Sequence, residues 1–245
     1  MKPDLAQGLP WIFLTLICLA GGLYGLTRIL AATGWDKRKQ RRVLTRAVVI
    51  VIAWVAILSI ASLRGFFANF NTLPPRIPLA ILLSFVAILL FAFSSTGTQL
   101  IRSAPPQWLI LPQAFRIVVE LLLLLAFLAG KLPEQMTLEG RNWDILSGLL
   151  ALPVGYFCFV KKSRRSFNIA LAFNILGLLL LFNILIVAAL SMPTPLQYFR
   201  NAPANTLIAY FPFILLPGVL VPMAFALHVF SLRQLFLLRP QLLHG

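Results

Sequence analysis

The sequence predicts an all-α polytopic membrane protein with seven transmembrane helices, the N-terminus outside and the C-terminus in the cytoplasm. The first observation is composition: 60% of the 245 residues are hydrophobic and only 11% are charged, whereas a soluble domain is about 25% charged. The second is a series of seven apolar stretches, each near the ~20 residues that a helix needs to cross the hydrocarbon layer. The third is an uneven distribution of basic residues between them. A soluble enzyme, a disordered tail and a disulfide scaffold are therefore excluded.

The seven spans form a single transmembrane domain over residues 1–245. The first has an apolar run longer than the core of a signal peptide, and basic residues follow it rather than precede it, so we interpret it as a membrane anchor. The spans are expected at about 9–32, 44–64, 77–96, 108–130, 143–160, 167–190 and 205–231.

The basic residues orient the bundle. Thirteen of them fall on the side of the first loop against one acid, Asp36, so this side carries +12 and the opposite side +2. The positive-inside rule assigns the richer side to the cytoplasm. There it is expected to meet anionic lipid headgroups of the bilayer, and a nucleic-acid partner is not expected. The thirteen are Lys37, Arg38, Lys39, Arg41, Arg42, Arg46, Arg102, Lys161, Lys162, Arg164, Arg165, Arg233 and Arg239.

Span one carries a pattern of small residues, with Gly21 and Gly25 four positions apart. Small residues at this spacing let two helices approach closely. The pattern fits packing inside the bundle, and it equally fits a homo-oligomer.

Span four contains charged residues where the membrane disfavours them. Arg116 and Glu120 are four residues apart and share a helix face, which Gln113 extends. An ionisable side chain at mid-span costs on the order of 2.5–3.5 kcal/mol on insertion scales. Two interpretations remain open: a site for a polar ligand or a proton, and a structural ion pair that fixes helix packing.

The loop before span five, LEGRNWD, is a second candidate for ligand binding. It places Glu139, Arg141, Asn142 and Asp144 at the outer mouth of the bundle, where two acids and an arginine suit a polar solute or a cation. The alternative is that these side chains are solvated, with Asn142 or Asp144 capping span five. The spacing matches no metal-binding loop, so no metal ligand is predicted.

The last two spans contain further polar or irregular positions. Three asparagines in span six, Asn168, Asn174 and Asn183, favour packing between helices over a ligand site. Span seven has a proline every fifth residue, at 212, 217 and 222, which predicts a bent helix that lines a pocket or moves. His228 near its end is expected to bind a ligand or to form an interfacial hydrogen bond.

Much of the second half of the chain resembles an uncharacterised family of bacterial seven-span inner-membrane proteins. The resemblance supports the topology and a bacterial inner membrane, and it supplies no activity. It lies in the segments QAFRIVVELLLLLAFLAGKLPEQMTLEGRNWDI, PVGYFCFVKK, LSMPTPLQYF, APANTLIAYFPFILLPGVLVP and HVFSLRQL.

The function favoured by these residues is binding of a small molecule at an intramembrane polar site, in a small-solute or proton-coupled transporter or in a sensor. Motifs of zinc proteases, serine hydrolases and nucleotide-binding enzymes are missing from the sequence. No cofactor is indicated. The alternatives are an accessory or scaffolding subunit of a membrane complex and, with less support, an intramembrane enzyme.

Overall fold

In a computed structural model the described residues, 5–160 and 166–243, form helices, turns and loops without any strand. The predicted all-α class is therefore confirmed. Two π-helical turns, Tyr156–Val160 and Leu216–Leu220, adjoin helices. The α-helices are α1 (Leu5–Ala32), α2 (Lys37–Leu63), α3 (Arg76–Phe93), α4 (Ser95–Ser103), α5 (Gln107–Ile110), α6 (Phe115–Leu128), α7 (Ile145–Gly155), α8 (Ser166–Leu190) and α9 (Val221–Leu243).

Six helical segments of the described chain are long and apolar enough to cross a membrane, which indicates a membrane protein. A further segment, Ile145–Phe159, is apolar but shorter. The six are Gln7–Ala32, Lys37–Leu63, Arg76–Phe93, Gln107–Leu128, Ser166–Leu190 and Leu216–Leu238.

One end of the bundle, here the capped end, is formed by the loops 64–75, 129–144 and 191–214. Side chains tie these loops to each other and to the helices. Gln135 Nε2 donates to Ser191 Oγ at 2.9 Å, and Lys131 donates to Gln7 beside the start of α1. Ser62 Oγ, at the end of α2, donates to the carbonyl of Ala209 at 2.8 Å. The loops therefore form a connected cap over this end of the bundle.

The opposite end, here the basic end, is formed by residues 33–46, 94–106 and 232–238. Arg233 Nη2 donates to Thr98 Oγ1 at 2.7 Å, and Gln234 Nε2 donates to the carbonyls of Ile101 and Ala104, each at 2.6 Å. These contacts hold α9 against α4. Lys161, Lys162, Arg164 and Arg165, predicted for the same side, lie outside the described residues.

The third and the seventh predicted spans differ from the helices of the structure. The span expected at 77–96 is divided at Ser94, because the Ser94 hydroxyl accepts a hydrogen bond from Gly97 N at 3.0 Å and caps a separate helix. The span expected at 205–231 begins later, since 205–214 fold as turns and a short 3-10 helix, Leu207–Ala209, in the capped end. Prolines at 212 and 217 lack the N–H donors that a continuous helix needs there.

The π-helical turn Leu216–Leu220 is held by a side chain of α2. Pro222 has no N–H to offer the carbonyl of Gly218, four residues before it. Trp54 Nε1 donates to that carbonyl at 2.8 Å instead. Gly218 also lies directly under Leu58, so closely that an added Cβ would stand 2.4 Å from Leu58 Cδ1. Helix α2 therefore supports the backbone that the prolines leave irregular.

The glycine pattern of span one has no partner within the described chain. A Cβ added at Gly21 or Gly25 would meet no atom within 4 Å. Of the two interpretations, packing inside the bundle therefore has no support at these positions, and the oligomer interpretation stays a prediction.

Candidate functional site

Six of the eight predicted site residues are buried inside the bundle, and five of them, all but Gln113, form one hydrogen-bonded network. They derive from three separate segments: α6 with the turn before it, the end of the 129–144 loop, and α9. The other two, Glu139 and Arg141, are exposed on the capped end. The six buried residues are Gln113, Arg116, Glu120, Asn142, Asp144 and His228, each at most 5% exposed.

Arg116 forms its ion pair with Asp144. Its Nε donates to Asp144 Oδ2 at 2.6 Å, and its Nη2 donates to Asp144 Oδ1. Asp144 stands at the N-cap position of α7, but its side chain is used for this pair and not for capping. The ion-pair interpretation of span four named Glu120 as the partner; the structure has Asp144 instead. A two-pronged pair of this kind holds α6 against the start of α7.

Glu120 is held by an amide. Asn142 Nδ2 lies 2.8 Å from Glu120 Oε1 and 2.7 Å from Oε2, and it is also 3.0 Å from the carbonyl oxygen of Met136. The Asn142 side-chain oxygen accepts from Asp144 N at 3.1 Å. Asn142 therefore connects the Glu120 carboxylate to the main chain of Asp144.

His228 is hydrogen-bonded on both ring nitrogens, and its partners define its tautomer. Arg116 Nη1 lies 2.9 Å from His228 Nε2. Because a guanidinium only donates, Nε2 must accept. The proton is then on Nδ1, which donates to Asn174 Oδ1 at 2.9 Å. The imidazole in this arrangement is neutral.

Asn174 extends the network toward the basic end. Its Nδ2 donates to the carbonyl of Ala170 at 2.8 Å and to Ser231 Oγ at 2.9 Å. We predicted a packing role for Asn174 and did not include it or Ser231 among the site residues. The available signal was its angle, since it points away from Asn168 and Asn183, and in the structure it is fully buried while those two are exposed.

Gly177 on α8 makes room for the imidazole. A Cβ at this position would lie 2.3 Å from His228 Cε1 and 2.4 Å from Nε2. Gln113 stands apart from the charged network, because its Nε2 donates to the carbonyl of Ala224 at 3.0 Å. Gln113 therefore ties the entry of α6 to α9.

A cavity of about 260 Å³ begins beside this network and lies toward the capped end. Of the charged network only Glu120 and Asp144 line it, and its other walls are apolar. Arg116 and His228 are behind these acids, at 1% and 0% exposure. The apolar walls come from α3, α6, α8 and the π-helical turn, and include Ile81, Phe85, Leu123, Phe182, Ala188 and Pro217.

The buried charges do not balance. Arg116 contributes one positive charge, and two carboxylates are within the same network while His228 is neutral. If both acids are ionised, one negative charge is uncompensated, and an unpaired charge in such surroundings costs several kcal/mol. A proton or a bound cation at Glu120 removes that cost. Among the described residues no group of three or more His, Cys, Asp or Glu is placed to hold a metal ion.

Comparison with known proteins finds one family. A family model described as a domain of unknown function (DUF8737) matches residues 76–236, in agreement with the uncharacterised family that the sequence resembles. No curated protein and no solved structure matches the chain significantly.

Asp144→Asn should destabilise the protein by about 3–5 kcal/mol, because it removes the carboxylate that is directly hydrogen-bonded to Nε and Nη2 of the buried Arg116 guanidinium. The free energy of unfolding is measured by denaturant titration in micelles. Glu134→Gln, at an exposed acid of the same loop, is the matched control and should change stability by less than about 0.5 kcal/mol. Equal small effects of the two changes would contradict the ion pair.

Gly177→Ala should destabilise the protein by about 1–3 kcal/mol, since the new methyl group overlaps the His228 ring. Gly25→Ala is the control, because that position is open and should shift stability by less than about 1 kcal/mol. Combining Gly177→Ala with His228→Ala should cost less than the sum of the two single changes. Strict additivity in the same titration would show that the glycine does not make room for the imidazole.

Proposed function

The chain belongs to the DUF8737 family, and we propose that it binds a small ligand inside the membrane, as a transporter or a sensor does. The observation that carries this proposal is the cavity whose apolar walls end at Glu120 and Asp144. Ligand sites in proteins are typically concave and mostly apolar, with a few convergent polar groups. Arg116 and Asn142 hold those two acids in place.

The distribution of hydrogen bonds within the network supports binding at Glu120 in particular. Arg116 directs its guanidinium nitrogens to Asp144, His228 and, at 3.5 Å, the carbonyl oxygen of Gly177. It is therefore a structural counter-ion. Glu120 has only the neutral Asn142 amide as its hydrogen-bonding side-chain partner among the described contacts. Its charge is free to be balanced by a ligand or a proton, which is the basis of proton-coupled transport or sensing.

The π-helical turn provides an element that responds to binding. Leu216 and Pro217 in this turn line the cavity, and Trp54 holds the neighbouring carbonyl of Gly218. π-helical turns inside helices are frequent at functional sites. A ligand that moves Pro217 therefore also disturbs the hydrogen bond between Gly218 and Trp54 of α2. Helix α2 begins at the basic end, so the change can reach that side of the bundle.

For the membrane arrangement we propose seven spans in a bacterial inner membrane, with the basic end in the cytoplasm and in contact with anionic lipid headgroups. The shorter segment Ile145–Phe159 would be the fifth crossing. Its neighbours support this, because α6 ends and α7 begins in the same capped-end loop. The accumulation of Lys and Arg at the other end supports the orientation.

A second candidate function, that of an accessory subunit, is favoured by α1. The face around Gly21 and Gly25 has no neighbour within 4 Å in the described chain. Small residues exposed toward lipid suit close packing against another helix. A helix of a partner protein or of a second copy would fit there without blocking the cavity.

Ala188→Leu should reduce retention of the natural ligand, because the larger side chain takes up part of a cavity of about 260 Å³. Wild-type and variant proteins are purified from native membranes, extracted with organic solvent and compared by mass spectrometry. Ala87→Leu on the exposed face of α3 is the control and should retain what the wild type retains. Identical extracts from wild type and Ala188→Leu would contradict binding in this cavity.

Single cysteines should react on opposite sides of the membrane. In a background with Cys18→Ser and Cys158→Ser, Arg200→Cys on the capped end should be labelled by a membrane-impermeant maleimide in intact spheroplasts. Arg41→Cys on the basic end should be labelled only after lysis. Both arginines are exposed, so the two substitutions form a matched pair. The reverse pattern would overturn the orientation.

A further inference from the structure

Resting on the proposed function, we propose that the ligand is a small lipophilic cation, an apolar body with one ammonium group, that enters the cavity from the bilayer between α3 and α8.

The charge of the cavity selects a cation. Glu120 and Asp144 are the charged side chains that line it, and both are acids. The guanidinium of Arg116 is behind them, bonded to Asp144 and His228. An anion in the cavity would meet negative charge and no free cationic donor, and burial without a partner is costly for any charged group. An ammonium group supplies the missing positive charge beside Glu120.

The walls select an apolar body. Apart from the two acids they are aliphatic and aromatic side chains, and offer a polar molecule no hydrogen-bonding group. Phe85 is stacked on Phe225 with ring centroids 3.8 Å apart, and Phe182 meets Phe85 edge-on at 6.1 Å. Aromatic rings near a desolvated cation attract it further. At about 260 Å³ the space suits a small molecule and not a whole lipid.

The mouth of the cavity faces the lipid. Leu82 on α3 and Phe182 on α8 line it and are 57% and 43% exposed on the outside of the bundle. Toward the capped end it is closed by Met136, Met192 and Ile208, which are at most 5% exposed. A ligand therefore reaches Glu120 by way of the hydrocarbon layer, which admits a cation only if most of its surface is apolar.

Two isosteric probes test the charge requirement. Benzyltrimethylammonium and neopentylbenzene have the same shape. The first has a positively charged nitrogen where the second has a neutral quaternary carbon. Binding of each is measured by equilibrium dialysis against the full chain in nanodiscs of zwitterionic phosphatidylcholine, with protein-free nanodiscs as the blank. We expect the cation to bind about tenfold more tightly than its neutral isostere.

Variants separate the contributions of charge and shape. Glu120→Gln should weaken binding of the cation about tenfold and leave neopentylbenzene unchanged, which also shows that the variant is folded. Glu134→Gln, an exposed acid of the capped end, should change neither. Ala188→Leu should weaken binding of both probes, because it narrows the cavity that both occupy.

The outcomes distinguish the two proposals. If neopentylbenzene binds as tightly as the cation, or if Glu120→Gln weakens both probes equally, the cation proposal is wrong while binding in the cavity stands. If neither probe binds above the blank, the cavity is not a ligand site and the proposed function fails with it.

Discussion

The ion pair between Arg116 and Asp144 is the constraint on which the rest of the site depends. A guanidinium buried in a bundle of apolar helices must be paired and fully hydrogen-bonded, or the fold loses several kcal/mol. Here Asp144 supplies the counter-charge, and Asp144, His228 and, at 3.5 Å, the carbonyl of Gly177 accept hydrogen bonds from it. The pair joins α6 to the start of α7, and the bond to His228 joins α6 to α9. Asn174 then connects the same network to α8.

The polar residues of the interior have two different tasks. Arg116, His228 and Asn174 are bonded to each other and closed off, so their role is to hold helices in register. Glu120 stands at the boundary between this network and the apolar cavity, and it is the residue through which a ligand or a proton acts in the proposed function. The cost of burying charge is thus confined to a rigid cluster, while one acid is left available.

The irregular end of the bundle depends on donors from helices that are distant in sequence. The prolines of the last span free backbone carbonyls, and such groups are tolerated in a membrane only when other parts of the protein satisfy them. Trp54 on α2 does so at Gly218, and Ser62 on the same helix donates to the carbonyl of Ala209 in the turns that precede the last span. The helices α1 and α2 precede the residues matched by the family model, 76–236, yet α2 supports the cavity wall.

By itself the sequence determined the all-helical membrane class. It also singled out eight candidate site residues, of which six are buried in the bundle. It could do so because hydrophobic length and the cost of charge in an apolar span are local properties. It also indicated that prolines 212, 217 and 222 bend the last span. Only the tertiary structure decided that Arg116 pairs with Asp144, that Glu120 is bonded to Asn142, that Asn174 belongs to the network and that a cavity ends at the acids. Spacing along one helix shows which residues share a face, whereas their partners depend on how other helices pack against that face.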